Sequence, residues 1–211
     1  MIMAVLQARM SSSRFPGKVM QPIWGIPMLL FMVNRVQESQ QIDHIIVATS
    51  TDKTDNIIWE LCIRHKIWCF RGSLEDVLDR YHQVTQMFNP AHVVRLTADC
   101  PLIDPEVIDK TILYHLHGGY DYTWNPGYPD GLDVEVMTFD ALHRTWKDAT
   151  AQPDREHVCT YIKDHPDRYK IGRYERHTDI SHIKISVDTP EDYQKVKALV
   201  GDSIKVVRDL C

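Results

Sequence analysis

The chain has 211 residues, a length that suits one large α/β domain or two small ones. Its hydrophobic content of 44%, charged content of 25% and net charge of −5 are ordinary for a soluble globular protein. The acidic balance argues against non-specific binding to nucleic acid or to a membrane surface, since both favour basic proteins.

The cellular compartment is indicated by signals that the sequence lacks. No apolar stretch approaches the roughly 20 residues that a membrane span needs, and the apolar run at the N-terminus is too short for a signal peptide. The five cysteines form no C-x-x-C pair, and their odd number indicates free thiols in a reducing compartment. We therefore expect a cytoplasmic protein that binds neither a membrane nor nucleic acid.

The first half of the chain alternates between apolar, β-rich runs and amphipathic stretches. Four runs, at residues 1–6, 44–49, 67–71 and 93–98, have the length and composition of strands. The first run is continuously apolar, which is typical of a strand that is buried on both faces. The resulting order β-loop-α-β-α-β-α-β-α predicts an α/β fold with a mainly parallel sheet and helices on both faces.

Local signals mark where the helices begin. Pro27 stands near the first turn of the first helix, and Ser73 with Asp76 forms an S-x-x-D capping box for the third helix. Asp104 followed by Pro105 predicts the start of the fourth helix, because an aspartate cap and a proline at the first position both favour a helix N-terminus.

The pattern changes after residue 120. Residues 131–137 alternate charged and apolar side chains, which predicts a strand with one solvated face. Two more helices, two more strands and a last helix are predicted at 141–147, 155–163, 168–174, 183–187 and from Thr189 onward. We expect a single domain over residues 1–211 with an inserted subdomain around residues 120–170.

A basic loop rich in hydroxyl groups follows the first strand. It contains Arg9, Ser11, Ser12, Ser13, Arg14 and Lys18. Positive side chains and backbone N–H groups at a strand end can hold phosphate groups, and this loop suits a triphosphate. It is not a Walker A loop, because Ser12 stands where that motif needs glycine and Val19 stands where it needs Ser or Thr. A solvated surface loop is the alternative, and the position directly after a buried strand favours phosphate binding.

Two aspartates follow predicted strands and are candidate metal ligands. Ligands of open α/β sheets bind outside the carboxyl ends of the strands, where Asp99 and Asp188 both fall. Two carboxylates that face a triphosphate can hold Mg²⁺, a cation that takes oxygen ligands. Asp188 is explained equally well as part of a helix start, whereas a buried, unpaired Asp99 would be costly.

Further candidates are weaker. Asp133 and Glu135 point to the same face of a predicted strand and could bind a sugar hydroxyl or assist the metal, although a solvated strand face explains them almost as well. Arg155 and His157 open a predicted helix that could reach the acceptor. Arg71 lies near the mouth of the third strand, where a nucleotide contact and a structural role fit equally well.

Several of these segments together resemble one protein family. Residues 8–18 closely resemble the opening loop of the spore-coat polysaccharide biosynthesis protein F group, which belongs to the cytidylyltransferases that activate acidic sugars. Further matches occur, in the order of the family, at residues 70–73, 76–81, 96–103, 131–135, 155–158 and 187–192. The matches cover nearly the whole chain, and they are specific as a set although each one alone is modest.

The resemblance implies a Rossmann-like nucleotide-diphospho-sugar transferase fold that is often dimeric, so we expect a homodimer. It implies that the loop, with Ala8, binds the phosphates of CTP, and that Asp99 and Asp188 occupy the magnesium positions of the family. It also implies that Thr97 helps to read the cytosine. The octulosonate enzymes commonly carry glutamine at that position.

We therefore expect a Mg²⁺-dependent nucleotidyltransferase that transfers CMP from CTP to a sugar of acidic type and releases pyrophosphate, in surface polysaccharide biosynthesis. Arg9, Lys18, Asp99 and Asp188 are expected to carry the chemistry by positioning and charge stabilisation, without a protein nucleophile. Two alternatives remain open, namely a metal-dependent glycosyltransferase of the same fold that uses a nucleotide-sugar donor, and a non-catalytic nucleotide-binding relative.

Overall fold

A computed structural model describes residues 1–202, which form nine strands and eight α-helices. The strands are β1 Ile2–Gln7, β2 Pro22–Ile23, β3 Ile26–Pro27, β4 His44–Ser50, β5 Trp68–Gly72, β6 His92–Thr97, β7 Tyr122–Trp124, β8 Glu135–Thr138 and β9 Ile171–Arg173. The helices are α1 Met28–Val36, α2 Asn56–Arg64, α3 Val77–Phe88, α4 Pro105–Gly118, α5 Phe139–Asp148, α6 Gln152–His157, α7 Thr160–Asp164 and α8 Pro190–Asp202. Short 3₁₀ turns form at Lys18–Met20 and Lys53–Asp55.

Within the described residues, seven strands form one sheet in the order β5-β4-β1-β6-β8-β7-β9. The strands β5, β4, β1 and β6 are parallel, with Val5 of β1 opposite Ile46 and Arg95. Strand β8 is antiparallel to β6 and to β7, whereas β9 is parallel to β7. The predicted mainly parallel α/β sheet is confirmed, and β2 and β3 form a separate two-stranded antiparallel sheet.

Helices cover both faces of the sheet, as the alternation of strands and helices predicts. On one face, Ala4 and Leu6 of β1 pack with residues of α1, α2 and α4, including Leu29. On the other face, Met3 and Val5 pack with residues of α3, α5 and α7. Strand β1 is thus buried on both sides, which explains why its sequence is continuously apolar.

The segment after residue 120 extends the same sheet, and three of its predicted elements are corrected. The predicted strand 131–137 begins only at Glu135, because the buried side-chain amide of Asn125 pairs with the backbone of Leu132 and Val134 at 2.8 Å each. Strand β7 was not predicted. The single-domain organisation with an inserted subdomain stays a prediction.

The predicted strand 183–187 is also absent within the described residues, where only an isolated bridge between Asp130 and Lys184 forms. The reason is that one carbonyl, that of Asp130, accepts the N–H groups of both Ile185 and Ser186 at 2.7 and 3.0 Å. This close approach requires Gly131, whose φ is +114° and whose absent Cβ would lie 2.6 Å from the Ser186 nitrogen.

The predicted helix 155–163 is two helices, α6 and α7. Between them Val158 adopts φ 61° and ψ −56°, and the N–H of Cys159 donates to the carbonyl of His157 at 2.6 Å. These values describe a classic γ-turn, a rare and strained conformation. Val158 is fully buried, so packing holds the turn in place.

The helix caps largely follow the sequence. Asp104 accepts the N–H groups of Glu106 and Val107 at 2.7 and 3.4 Å, as expected for the cap of α4. Helix α3 is capped by Asp76 instead of Ser73, since the carboxylate of Asp76 accepts the N–H of Asp79 at 2.8 Å. None of the helices within the described residues has the length and apolar character that crossing a membrane would require.

A buried histidine pair links α4 to the sheet and makes stability depend on pH. His115 is fully buried, with Nε2 3.1 Å from Nδ1 of His92 and Nδ1 3.0 Å from the hydroxyl of Thr123. Burial, and secondarily the charge of His92, lowers the pKa of His115 to about 4. His115 therefore takes up a proton near pH 6.5 in the unfolded chain, but only near pH 4 in the folded protein.

We predict that the free energy of unfolding falls as the pH is lowered from about 6.5 to about 4, because protonation of His115 favours the unfolded state throughout this window. Urea titrations at several pH values measure the slope. The slope should be smaller in His115→Gln, although that variant is less stable at neutral pH. His117→Gln, on the exposed side of the same helix, is the matched control and should keep the wild-type slope. An unchanged slope in His115→Gln would contradict the assignment.

Candidate active site

The basic loop after β1 is anchored by an aspartate that the sequence analysis did not single out. Buried Asp55 accepts the N–H of Met10 at 2.7 Å and also binds both the N–H and the hydroxyl of Ser50. The carbonyl of Met10 accepts the N–H of Gly17 at 2.9 Å, which closes the loop on itself. Gly17 has φ 73°, a left-handed conformation that favours glycine, and it directs the chain into the 3₁₀ turn that carries Lys18.

Lys18 joins the loop to both candidate metal ligands. Its ammonium donates to a carboxylate oxygen of Asp99 at 3.1 Å, to one of Asp188 at 3.1 Å and to the carbonyl of Val187 at 2.7 Å. The side chain of Lys18 is only 11% exposed. The two aspartates, which are distant in sequence, therefore meet at one cation at the carboxyl ends of β6 and of the 183–187 segment.

Two more cations surround Asp188. Arg14 approaches one carboxylate oxygen at 2.9 Å, and Lys184 approaches the other at 3.1 Å while it also donates to Asp192 at 2.7 Å. Burial by itself would raise the pKa of Asp188, but the ammonium groups of Lys184 and Lys18 hold it below its ordinary value. Asp188 is thus ionised at neutral pH, and its negative charge is balanced by these cations.

A cavity of about 330 Å³ opens beside this cluster, and we call it the loop cleft. Its lining combines the basic loop, the end of β6 and one residue of α6: Gln7, Ala8, Arg9, Ser12, Ser13, Arg14, Lys18, Val19, Thr97, Ala98, Asp99, His157 and Asp188. The structure thus brings together most of the residues predicted for the phosphates and the metal. Ser11 of the same loop is exposed and does not line the cleft.

A second cavity of about 290 Å³, which we call the insert cavity, adjoins the loop cleft. The two cavities share Thr97, Asp99 and Asp188. The insert cavity is otherwise lined by Arg95, Cys100, Trp124, Asn125, Asp130, Asp133, Glu135, Lys163 and Ser186. The hydroxyl of Ser186 is buried and has no hydrogen-bond partner among the described residues, so a polar ligand in this cavity would satisfy it.

Glu135 lies on the wall of the insert cavity, but its oxygens are occupied. They accept hydrogen bonds from Arg95, from the hydroxyl of Tyr122 and from Lys163, the last at 2.9 Å. Burial alone would raise the pKa of Glu135, but Arg95 and Lys163 outweigh it and bring the pKa to about 2. The expected solvated strand face is therefore wrong, and Glu135 instead orients two cations.

The group formed by Arg95, Glu135 and Lys163 carries one surplus positive charge, from two cations and one carboxylate. Lys163 is the accessible member, with 41% of its side chain exposed, and its ammonium lies 5.6 Å from the ring centroid of Trp124. On the same cavity, Asp133 accepts the N–H of Gly131 at 3.0 Å.

Two predicted ligands are placed elsewhere. The guanidinium of Arg71 donates to the carbonyls of Ser50 and Asp52 at 2.8 and 2.9 Å, and Arg71 lines neither cavity. Arg155 binds the carboxylate of Asp76 through two nitrogens at 2.7 to 3.0 Å, so it connects α6 to α3 and does not reach the insert cavity. His157 lines the loop cleft and not the predicted acceptor side.

Asp99 and Asp188 fit a divalent cation by the chemistry of their donor set. No group of three or more His, Cys, Asp or Glu side chains among the described residues could hold a metal by itself. Mg²⁺ is commonly bound by one or two carboxylates together with substrate phosphates, and two carboxylates beside a basic cleft match that requirement.

Comparisons with known proteins agree with this geometry. The profile of the family described as "Cytidylyltransferase" matches residues 3–208. The spore coat polysaccharide biosynthesis protein SpsF of Bacillus subtilis is 37% identical over 205 residues, which are 94% of this chain and 85% of that protein. These matches confirm the resemblance that the motifs predict.

Two solved structures share the fold. A cytidylyltransferase from Leptospira borgpetersenii superposes with a TM-score of 0.92 at 28% identity, covering 99% of this chain and 92% of that one. A CMP:2-keto-3-deoxy-manno-octonic acid synthetase complexed with CTP superposes with a TM-score of 0.73 at 16% identity, covering 95% and 98%. The predicted nucleotidyltransferase fold is therefore confirmed.

We predict that Arg155→Met lowers the free energy of unfolding by about 2 kcal/mol, because it leaves Asp76 without its charged partner. Affinity for CTP, measured by calorimetry, should stay within twofold of the wild type. Arg64→Met, at an exposed site on α2, is the control for loss of an arginine and should change neither quantity. If Arg155→Met had wild-type stability but no longer turned over the sugar acceptor, that result would support the predicted role of Arg155 in sugar binding.

Proposed function

Since the chain belongs to the cytidylyltransferase family, we propose that it transfers CMP from CTP to a sugar and releases pyrophosphate, in surface polysaccharide biosynthesis. The observation that carries the proposal is the contact of Lys18 with both Asp99 and Asp188 at 3.1 Å, which places a basic phosphate loop against an acid pair. The protein named SpsF that this chain resembles supports the biosynthetic setting.

The loop cleft is the proposed site of CTP. Arg9, Arg14 and Lys18 supply positive charge for the triphosphate, and Ala8 and Thr97, which line the same cleft, would contact the nucleotide. Asp99 and Asp188 would hold Mg²⁺, which would neutralise charge on the phosphates when bound. A positioned triphosphate needs no protein nucleophile, since alignment and charge stabilisation together lower the barrier.

The insert cavity is the proposed site of the sugar, because it meets the loop cleft at the shared acid pair. From there a sugar hydroxyl would attack the α-phosphorus in line, forming a P–O bond while the bond to pyrophosphate breaks. Lys163 is the accessible cation on this wall and would receive the carboxylate of an acidic sugar, while Asp133 would accept from sugar hydroxyls. A homodimer in the cytoplasm completes the proposal.

We predict that Asp99→Asn and Asp188→Asn each lower kcat/KM for CTP roughly 100-fold or more, since each removes a carboxylate that would hold Mg²⁺ beside the phosphates. Pyrophosphate release from CTP and Mg²⁺ is measured with a panel of sugar acids and matched neutral sugars. Asp164→Asn, at the exposed end of α7, is the control and should keep wild-type rates.

Other products would redirect the assignment. Sugar release from a nucleotide-sugar without pyrophosphate would indicate a glycosyltransferase. Binding of CTP without turnover across the whole panel would indicate a non-catalytic relative.

We predict that Lys163→Met raises the KM for an acidic sugar roughly tenfold or more, because a charge-assisted contact is lost, and leaves the KM for CTP unchanged. Steady-state kinetics with each substrate varied in turn separates the two constants. Lys147→Met, at an exposed site on α5, is the matched control. An equal rise in both KM values would place Lys163 outside the sugar site.

A further inference from the structure

We propose that in the free protein Lys18 occupies the position between Asp99 and Asp188 that a divalent cation takes during the reaction, so that metal binds well only with nucleotide. This inference rests on the proposed function and concerns the order in which its site fills. Lys18 is then a positioning residue in the free protein and a phosphate ligand in the complex.

All three hydrogen-bond donors of the Lys18 ammonium have partners in the free protein. A lysine ammonium has three N–H donors, and Lys18 directs them to Asp99 at 3.1 Å, Asp188 at 3.1 Å and the carbonyl of Val187 at 2.7 Å. The side chain is 11% exposed, so water contributes little. Lys18 therefore acts as a cation held between two acids, the role otherwise expected of a metal.

Cationic side chains already contact the carboxylates of both Asp99 and Asp188. One oxygen of Asp188 receives Lys18 and Arg14, and the other receives Lys184 at 3.1 Å. One oxygen of Asp99 receives Lys18, and the thiol of Cys100 lies 3.6 Å from the other. A metal that bridges Asp99 and Asp188 in the free protein must therefore take the position of the Lys18 ammonium, which contacts both carboxylates.

The charged side chains around Asp99 and Asp188 form a cluster whose charges cancel. Arg14, Lys18 and Lys184 contribute +3, and Asp99, Asp188 and Asp192 contribute −3, so the cluster is neutral as it stands. A divalent cation alone would leave it at +2 and would meet repulsion from cations only a few ångströms away. A triphosphate supplies the missing negative charge.

The nucleotide provides the means of exchange. Lys18 and Arg14 both line the loop cleft, so triphosphate oxygens can take over their hydrogen bonds and leave the acid pair to the metal. By thermodynamic linkage, nucleotide raises the affinity for metal, and metal raises the affinity for nucleotide by the same factor.

The test measures Mn²⁺ binding by electron paramagnetic resonance of free Mn²⁺, in the absence of nucleotide and acceptor. The wild type should bind weakly, and Lys18→Met should bind at least tenfold more tightly, because the position between the two carboxylates is then vacant. Lys184→Met is the matched control, since it removes the same charge from Asp188 but leaves Lys18 in place. It should also raise the affinity, but by at least threefold less than Lys18→Met does, because the contacts of Lys184 are to Asp188 and Asp192.

Two results of the Mn²⁺ measurement would contradict the inference. Lys18→Met binding Mn²⁺ no more tightly than the wild type, or Lys184→Met matching it, would overturn the proposal. Lys18→Gln, which keeps a donor for the carbonyl of Val187, provides a second folded variant and should also bind more tightly. Thermal unfolding shows that each variant is folded.

The wild-type protein gives an independent check. Its calorimetric affinity for CTP should rise at least tenfold when Mn²⁺ is present, and an unchanged affinity would contradict the coupling. Failure of the proposed function has a different signature, because the wild type would then neither bind CTP nor release pyrophosphate with any sugar of the panel.

Discussion

The structure of the site depends on one ionic contact, in which the ammonium of Lys18 is shared between Asp99 and Asp188. The lysine comes from the loop after β1, one aspartate follows β6, and the other precedes α8, so the contact joins three remote parts of the chain. It also sets the boundary between the two cavities, since both aspartates line each of them. The loop cleft and the insert cavity are adjacent because this contact holds their common wall.

The insert cavity shows how burial changes the role of a charged residue. Glu135 is 8% exposed, and a lone carboxylate there would be costly. Arg95 and Lys163 stabilise its charge, and in return Glu135 holds both cations in a fixed direction. The family comparison places this chain among cytidylyltransferases. The polar inner wall of the cavity, built largely by the segment after residue 120, is the part of the structure that suits recognition of an individual sugar.

The sequence predicted the fold and the loop well because both leave local signals. Four apolar runs in alternation with amphipathic helices specify a parallel sheet, and basic residues after the first run mark the loop. The part of the chain after residue 120 was predicted less well. Its strand 131–137 is shortened by hydrogen bonds to the side chain of Asn125, and the segment 183–187 donates to the carbonyl of Asp130 instead of pairing with a strand. Lys163 and Ser186 left no local pattern. Arg95 could have been identified from the sequence, because a charged residue within the apolar run of β6 indicates a buried partner.

Val158 has a consequence for how the two cavities relate to each other. The backbone conformation of a β-branched residue in a classic γ-turn costs on the order of 1–3 kcal/mol. Val158 is completely buried, so the surrounding side chains keep its backbone in this conformation. His157 on one side of it faces the loop cleft, and Lys163 a few residues later faces the insert cavity. The turn therefore fixes the path of the backbone between these two residues, and with it the spacing between the two cavity walls that they line.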